Sequence, residues 1–221
     1  MKEDKNGHRM PPTIILIVAT AVTTTGLLLV TTLVRALGRY RPVTQRMLVW
    51  TTLAAYGVLL WLQPAGWTVT NIAVILAAAA GAHLLSSQLR SPSAVVVFLV
   101  TASVVDFVSF SGGLTHRIVE SYRSGGNQLL LYLTLSVPMA GRIVPIVGFG
   151  DLLVGGAAIS ALVQAGLPPR PVWIAIIAGL VGALIIGISI GGAPAVPMMA
   201  AACLILVATR KSKGLHEVRR T

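Results

Sequence analysis

Acidic residues are scarce. The 221 residues include six, Glu3, Asp4, Asp106, Glu120, Asp151 and Glu217, against seventeen lysines and arginines. Charged residues of both signs make up 10% of the chain, where a soluble domain carries roughly 25%. That shortage excludes a separate soluble domain. With 55% hydrophobic residues and a mean hydropathy of +0.85, the chain reads as a polytopic membrane protein. Cysteine is nearly absent. Cys203 stands alone in an apolar run, which excludes an intrachain disulfide and makes it a packing residue. The four histidines are scattered and show no metal-ligand spacing, so no metal and no cofactor are expected. No basic face interleaves with aromatics, so the net charge of +11 does not indicate nucleic acid. The basic residues sit instead in short connections and tails, as helical membrane proteins place them.

The apolar runs predict an all-α bundle of about seven spans, forming a single integral membrane domain over residues 1–221. The spans run from about Pro12 to Val34, Met47 to Leu62, Val69 to Leu85, Pro92 to Gly112, Gly148 to Ala165, Val172 to Ile190 and Met198 to Thr209. The first apolar run is long enough to cross and is followed by no clear small-residue cleavage site, so it reads as a span rather than a leader. Three spans fill residues 12–90, four occupy 91–209, and 210–221 is a basic tail. Turns are expected at Gln63-Pro64-Ala65-Gly66 and Gly166 to Pro171, and a helix break at Gly191 to Pro197. Gly113 to Gln128 reads as a polar loop, and Leu129 to Val147 as an interfacial or partly re-entrant segment, since Leu129 to Val137 is too short to cross. His83 is expected to be interfacial or satisfied by a partner. Seven spans put eleven basic residues on the side of the C-terminus and six on the other, which favours N-out, C-in.

Two carboxylates stand out. Asp106 and Asp151 are the only acidic residues inside apolar segments, and an ionisable residue at bilayer depth costs several kcal/mol. Two carboxylates within hydrogen-bond reach do not both ionise easily; they share a proton and titrate as a unit. The ionised member takes a proton from an attacking water, and the protonated member hydrogen-bonds the carbonyl and then protonates the leaving amine. Gly148 and Gly150, flanking Phe149, leave room beside Asp151 for a second helix or an extended peptide. Such a peptide needs a strand-like partner, and the irregular Gly192 to Pro197 stretch offers one. Taken singly, Asp106 reads equally as a proton or ion relay, Asp151 as a helix-start residue, and Pro194 to Pro197 as an ordinary turn.

Three features occur in order: Asp106 within a span, Gly148-Phe149-Gly150-Asp151 opening another, and Pro194-Ala195-Val196-Pro197 entering the last. This order resembles the presenilin and signal peptide peptidase family of intramembrane aspartyl proteases, whose signatures are Tyr-Asp, Gly-x-Gly-Asp and Pro-Ala-Leu. The resemblance covers about Val95 to Val207. It implies cleavage of single-span or signal-peptide-like membrane segments within the bilayer, with Asp106 and Asp151 catalytic. Gly148, Phe149, Gly150, Pro194, Ala195 and Val196 are implied to contact substrate, and no cofactor is implied. Val105 stands where the family has Tyr and Val196 where it has Leu, and the family's first two of nine spans have no counterpart here.

Two further classes share some of these features. Prepilin and preflagellin peptidases also use Gly-x-Gly-Asp but lack the Pro-Ala-Leu-like segment. A proton-coupled transporter also buries carboxylates, but the sequence shows no convincing inverted repeat. A serine hydrolase built on Ser109, Ser111, His116 and Glu120 is disfavoured because Gly112-Gly113 and the polar run after it read as a loop.

Overall fold

Proline and serine set the helix starts. Pro12 opens α1 (Pro12–Leu37), Pro42 opens α2 (Pro42–Leu62) and Pro169 opens α8 (Pro169–Ile190), positions where the missing N–H has no intrahelical partner to lose. Pro92 opens α4 (Pro92–Gly112) after Ser91, whose side chain accepts the Ala94 N–H at 3.1 Å. Between them lies α3 (Trp67–Gln88), and α5 (Leu114–Arg123) and α6 (Leu129–Tyr132) follow α4. The last helices are α7 (Phe149–Gln164) and α9 (Val196–Val218). Gly166 ends α7 with φ at +89°, where a side chain is strained, and the Leu167 N–H returns to the Leu162 carbonyl at 3.0 Å. This computed structural model describes residues 11–62, 66–125, 128–139, 141–190 and 193–218. The expectations for the N-terminal tail through Met10, the Gln63-Pro64-Ala65 turn and the Gly191-Gly192 break lie outside the described residues.

Among the described residues, four helices are long and apolar enough to cross a membrane: α1, α3, α4 and, within α8, Pro169–Gly187. These are the first, third, fourth and sixth of the seven expected spans. Phe149–Gln164 and Val196–Arg210 are shorter apolar helices. The second expected span, α2, is helical from Pro42, and its first turns carry Thr44, Gln45 and Arg46.

In a bilayer, helices gain little from hiding apolar side chains from lipid, so close contact between small residues does the packing. Ala77, Ala78, Ala79, Ala80 and Ala82 are all buried in α3, and every residue from Val154 to Leu162 is buried in α7. These two helices form the middle of the bundle. Large apolar side chains point outward, among them Val97, Val104, Val105, Phe107 and Val108 of α4. His83 of α3 bonds Gln45 of α2 and the Val34 carbonyl of α1, so its ring is satisfied between three helices.

The described residues are mostly helical, as expected, and two segments differ from the form expected of them. Gly113 to Gln128 contains the helix α5. Residues 134–148 form an antiparallel hairpin of β1 (Thr134–Met139) and β2 (Arg142–Gly148), running from Thr134 opposite Gly148 to Met139 opposite Arg142. Pro138 and Pro145 block a helix through this segment, its Val and Ile residues favour extended backbone, and Gly141 turns the chain with φ at +75°.

Asn71 of α3 clasps the hairpin. Its Nδ2 donates to the Ser136 carbonyl at 2.7 Å and its Oδ1 accepts the Ser136 N–H at 2.9 Å. The Tyr56 hydroxyl donates to the Tyr132 carbonyl at 2.8 Å, and that of Tyr122 to the Ile143 carbonyl at 2.9 Å. Asn71→Leu keeps the branching and heavy-atom count of the side chain and strands both Ser136 groups, at about 1–3 kcal/mol for each buried group left unsatisfied. The expected result is a lower melting temperature in detergent and faster proteolytic nicking near Gly141. Unchanged melting and nicking would show that the hairpin stands without the clasp.

Candidate active site

The strand β2 runs without a loop into α7. Gly148 ends the strand and caps the helix, with φ −69° and ψ 150°. The Phe149 N–H donates to the Leu133 carbonyl at 2.8 Å, which fixes the junction against the start of the hairpin. Asp151 is the third residue of α7, and its Oδ2 accepts the Gly148 N–H at 3.3 Å. The helix-start role is therefore realised: the carboxylate satisfies a donor that the helix leaves over. A Cβ at residue 148 would sit 3.1 Å from that same oxygen, so glycine there gives the carboxylate room to fold back.

Asp106 reaches the same place from α4. Its neighbours Val105 and Phe107 are exposed on the outer face, while Asp106 turns inward and is half-buried. Its Oδ2 accepts the Val196 N–H at 3.1 Å, across 90 residues of sequence. Val196 begins α9, so this carboxylate too satisfies a free helix donor. The two carboxylates are close enough for their charges to interact. The hydrogen bonds described for each engage Oδ2 and leave Oδ1 available.

Beside Asp151 lies a cavity of about 300 Å³. Its walls are Ile15, Ala19 and Thr23 of α1, residues 144–147 of β2, one side of α8 from Leu180 to Gly187, and Ala193 and Ala195. The three sequence features thus lie near one another: Asp106 bonds Val196, and Asp151 and Ala195 line one cavity. Comparison of the chain with protein-family models, with curated proteins and with solved structures finds no match in any of the three.

The other expected contact residues are distributed unevenly. Ala195 lines the cavity and Pro194 does not. The Phe149 ring faces away from the cavity and stacks on Tyr56, with centroids 5.4 Å apart and planes 26° apart. Gly150 is exposed, and a Cβ there would meet nothing within 4 Å, so no other helix among the described residues approaches it. The strand expected from Gly192 to Pro197 is absent over its described part, because Val196 already begins α9 and only residues 193–195 are irregular. Extended backbone beside Asp151 comes from β2, whose second edge has no strand partner among the described residues.

The serine-hydrolase set does not assemble. Ser109 bonds Thr115 at 2.7 Å, Ser111 donates to the Phe107 carbonyl at 2.7 Å, and His116 lies 3.6 Å from Glu120 one helical turn along. Among the described residues no three His, Cys, Asp or Glu side chains group in a way that could hold a metal ion. The sequence reading missed β2, Thr23 and the α8 wall. Alternation of Val and Ile around Pro145 was the available signal for the strand; nothing in the sequence marks Thr23 out from its neighbouring threonines.

Proposed function

We propose that the chain is an intramembrane aspartyl endopeptidase that cuts peptide bonds within or near transmembrane segments, with Asp106 and Asp151 as its catalytic pair. The observation that carries this reading is the approach of two carboxylates held in apolar helices, from α4 and α7, with Asp151 on the wall of a cavity that the free side of β2 also edges. A peptide bond in a helix is shielded and its carbonyl is already bonded, so a substrate helix must open before hydrolysis. The free edge of β2 supports that step, since an extended segment can bond to it as an added strand.

The chemistry balances as a hydrolysis. One carboxylate is ionised and the other protonated. The ionised member accepts a proton from water as the water oxygen bonds to the scissile carbonyl carbon, while the protonated member donates a hydrogen bond to the carbonyl oxygen. The C–N bond then breaks, a proton passes to the leaving amine, and a carboxylic acid and an amine are released. One water is consumed, the pair ends with one proton as it began, and no redox partner is needed.

In this reading all seven apolar segments cross the bilayer, with the N-terminus outside and the C-terminus inside. The parallel course of α1, α3 and α7 supports it. Their first halves meet near the hairpin, and their second halves surround a second cavity, lined by Arg35, Arg39 and His83 among others, at the end that carries the basic connections.

The direct test is purified protein with a single-span model substrate, beside Asp151→Ala, with products read by mass spectrometry. Cuts inside the apolar segment, absent in the variant, are expected. Cuts only at the segment's polar edge would move the protein to the leader-peptidase class. No cut across several pH values and substrates would oppose the peptidase reading and favour a proton-coupled carrier.

A further inference from the structure

Among the described residues, Thr23 and Asp151 are the only polar side chains on the wall of the cavity. Thr23 is 4% exposed, and its Oγ1 has no hydrogen-bond partner among the described residues. Three other threonines in the spans bond back to their own helices. Thr31 donates to the Leu27 carbonyl at 2.9 Å, Thr52 to the Leu48 carbonyl at 2.7 Å and Thr101 to the Val97 carbonyl at 2.9 Å. That back-bonding is the ordinary way for a helix to absorb a threonine in an apolar setting. Thr23 instead holds a buried and unused hydroxyl at the cavity, and an unsatisfied polar group there destabilises the fold unless something else meets it.

An extended peptide has hydrogen-bonding groups on both edges. Paired on one side with β2, it turns its other row of N–H and C=O groups away from the strand. Apart from Thr23 and Asp151, the other described walls facing β2 are Ile15, Ala19, Ala193, Ala195 and the apolar side chains of α8, whose side chains cannot satisfy a main-chain group. We propose that Thr23 is a substrate-contact residue whose hydroxyl hydrogen-bonds a main-chain amide or carbonyl of an extended peptide in the cavity. The proposal rests on the peptidase reading and adds the kind of recognition involved. A contact to the main chain selects for an opened backbone rather than for particular side chains.

Two variants test it. Thr23→Val keeps the shape and removes the hydroxyl; Thr23→Ser keeps the hydroxyl. Thr23→Val is expected to melt at the wild-type temperature or higher. Its KM for a single-span substrate is expected to rise about threefold to tenfold with kcat within about twofold, the pattern of a lost binding contact. Thr23→Ser is expected to keep both constants within about twofold. Wild-type kinetics in Thr23→Val would overturn the contact and leave the peptidase reading standing. A lower melting temperature in Thr23→Val, with kcat falling in step, would assign Thr23 to packing and overturn it too. No cleavage by the wild type, matching Asp151→Asn, would remove the peptidase reading itself and the contact with it.

Discussion

Asp106→Asn and Asp151→Asn are each expected to lower cleavage by at least about a hundredfold, toward ten-thousandfold, the range over which a general acid or base contributes. The amide preserves shape and can still accept a backbone N–H, so both variants should purify and melt much as the wild type does. What it lacks is a titrating proton. In the proposed mechanism the wild type needs one proton on the pair. Acid fills both carboxyl groups and removes the base, and alkali empties both and removes the acid. A bell-shaped pH–rate profile is therefore expected, its two limbs belonging to the pair rather than to either residue. Residual activity in either Asn variant should lose that bell. Cleavage within tenfold of wild type in either one would remove the pair from the mechanism.

Gly179→Ala is expected to be the most damaging change outside the carboxylates. A Cβ at residue 179 would lie 2.6 Å from the Met199 Cα, 2.7 Å from its nitrogen and 2.8 Å from the Met198 carbonyl. Those are backbone atoms, so no side chain can swing aside, and overpacking of this kind typically costs about 1–3 kcal/mol. The displaced element is the first turn of α9, which carries Val196 and its bond to Asp106. Activity should therefore fall more than stability does, by about tenfold or more for a shift of about 1 Å at the reacting groups. Gly182→Ala is the control, because its Cβ would meet only the flexible end of the Met198 side chain, at 3.3 Å. If the two variants lose activity equally, tight backbone packing at residue 179 is not what holds the site.

How much of this was legible depended on the length scale of each signal. Long apolar runs ended by Pro, Ser or Gly marked α1, α3 and α4 closely, since hydropathy and helix-start chemistry both act within a few residues. Asp106 and Asp151 were legible because an ionisable residue in a span is expensive and rare. The hairpin was not. Its two strands lie next to a short helix, and the segment's apolar character with proline interruptions describes an interfacial stretch equally well. Phe149 illustrates a different limit. Its place beside two glycines and an aspartate pointed toward the cavity, but Tyr56, 93 positions earlier in the numbering, offers a stacking face on the other side. Thr23 shows the same limit from the opposite direction. Only its missing partner distinguishes it from Thr31, and a missing partner cannot be read from a string of residues.

The bond from Val196 to Asp106 has a consequence for the order in which the protein is made. Asp106 enters the membrane 90 residues before its donor exists. Until α9 is in place, that carboxylate has no helix terminus to lie against. Asp151 caps its own helix and faces no such delay. The two halves of the pair thus mature at different times during synthesis, one as soon as α7 forms and the other when the final helix arrives. Under the proposed function, a nascent chain holds an incomplete site while its own unassembled spans, which have the chemistry of the proposed substrates, are still nearby.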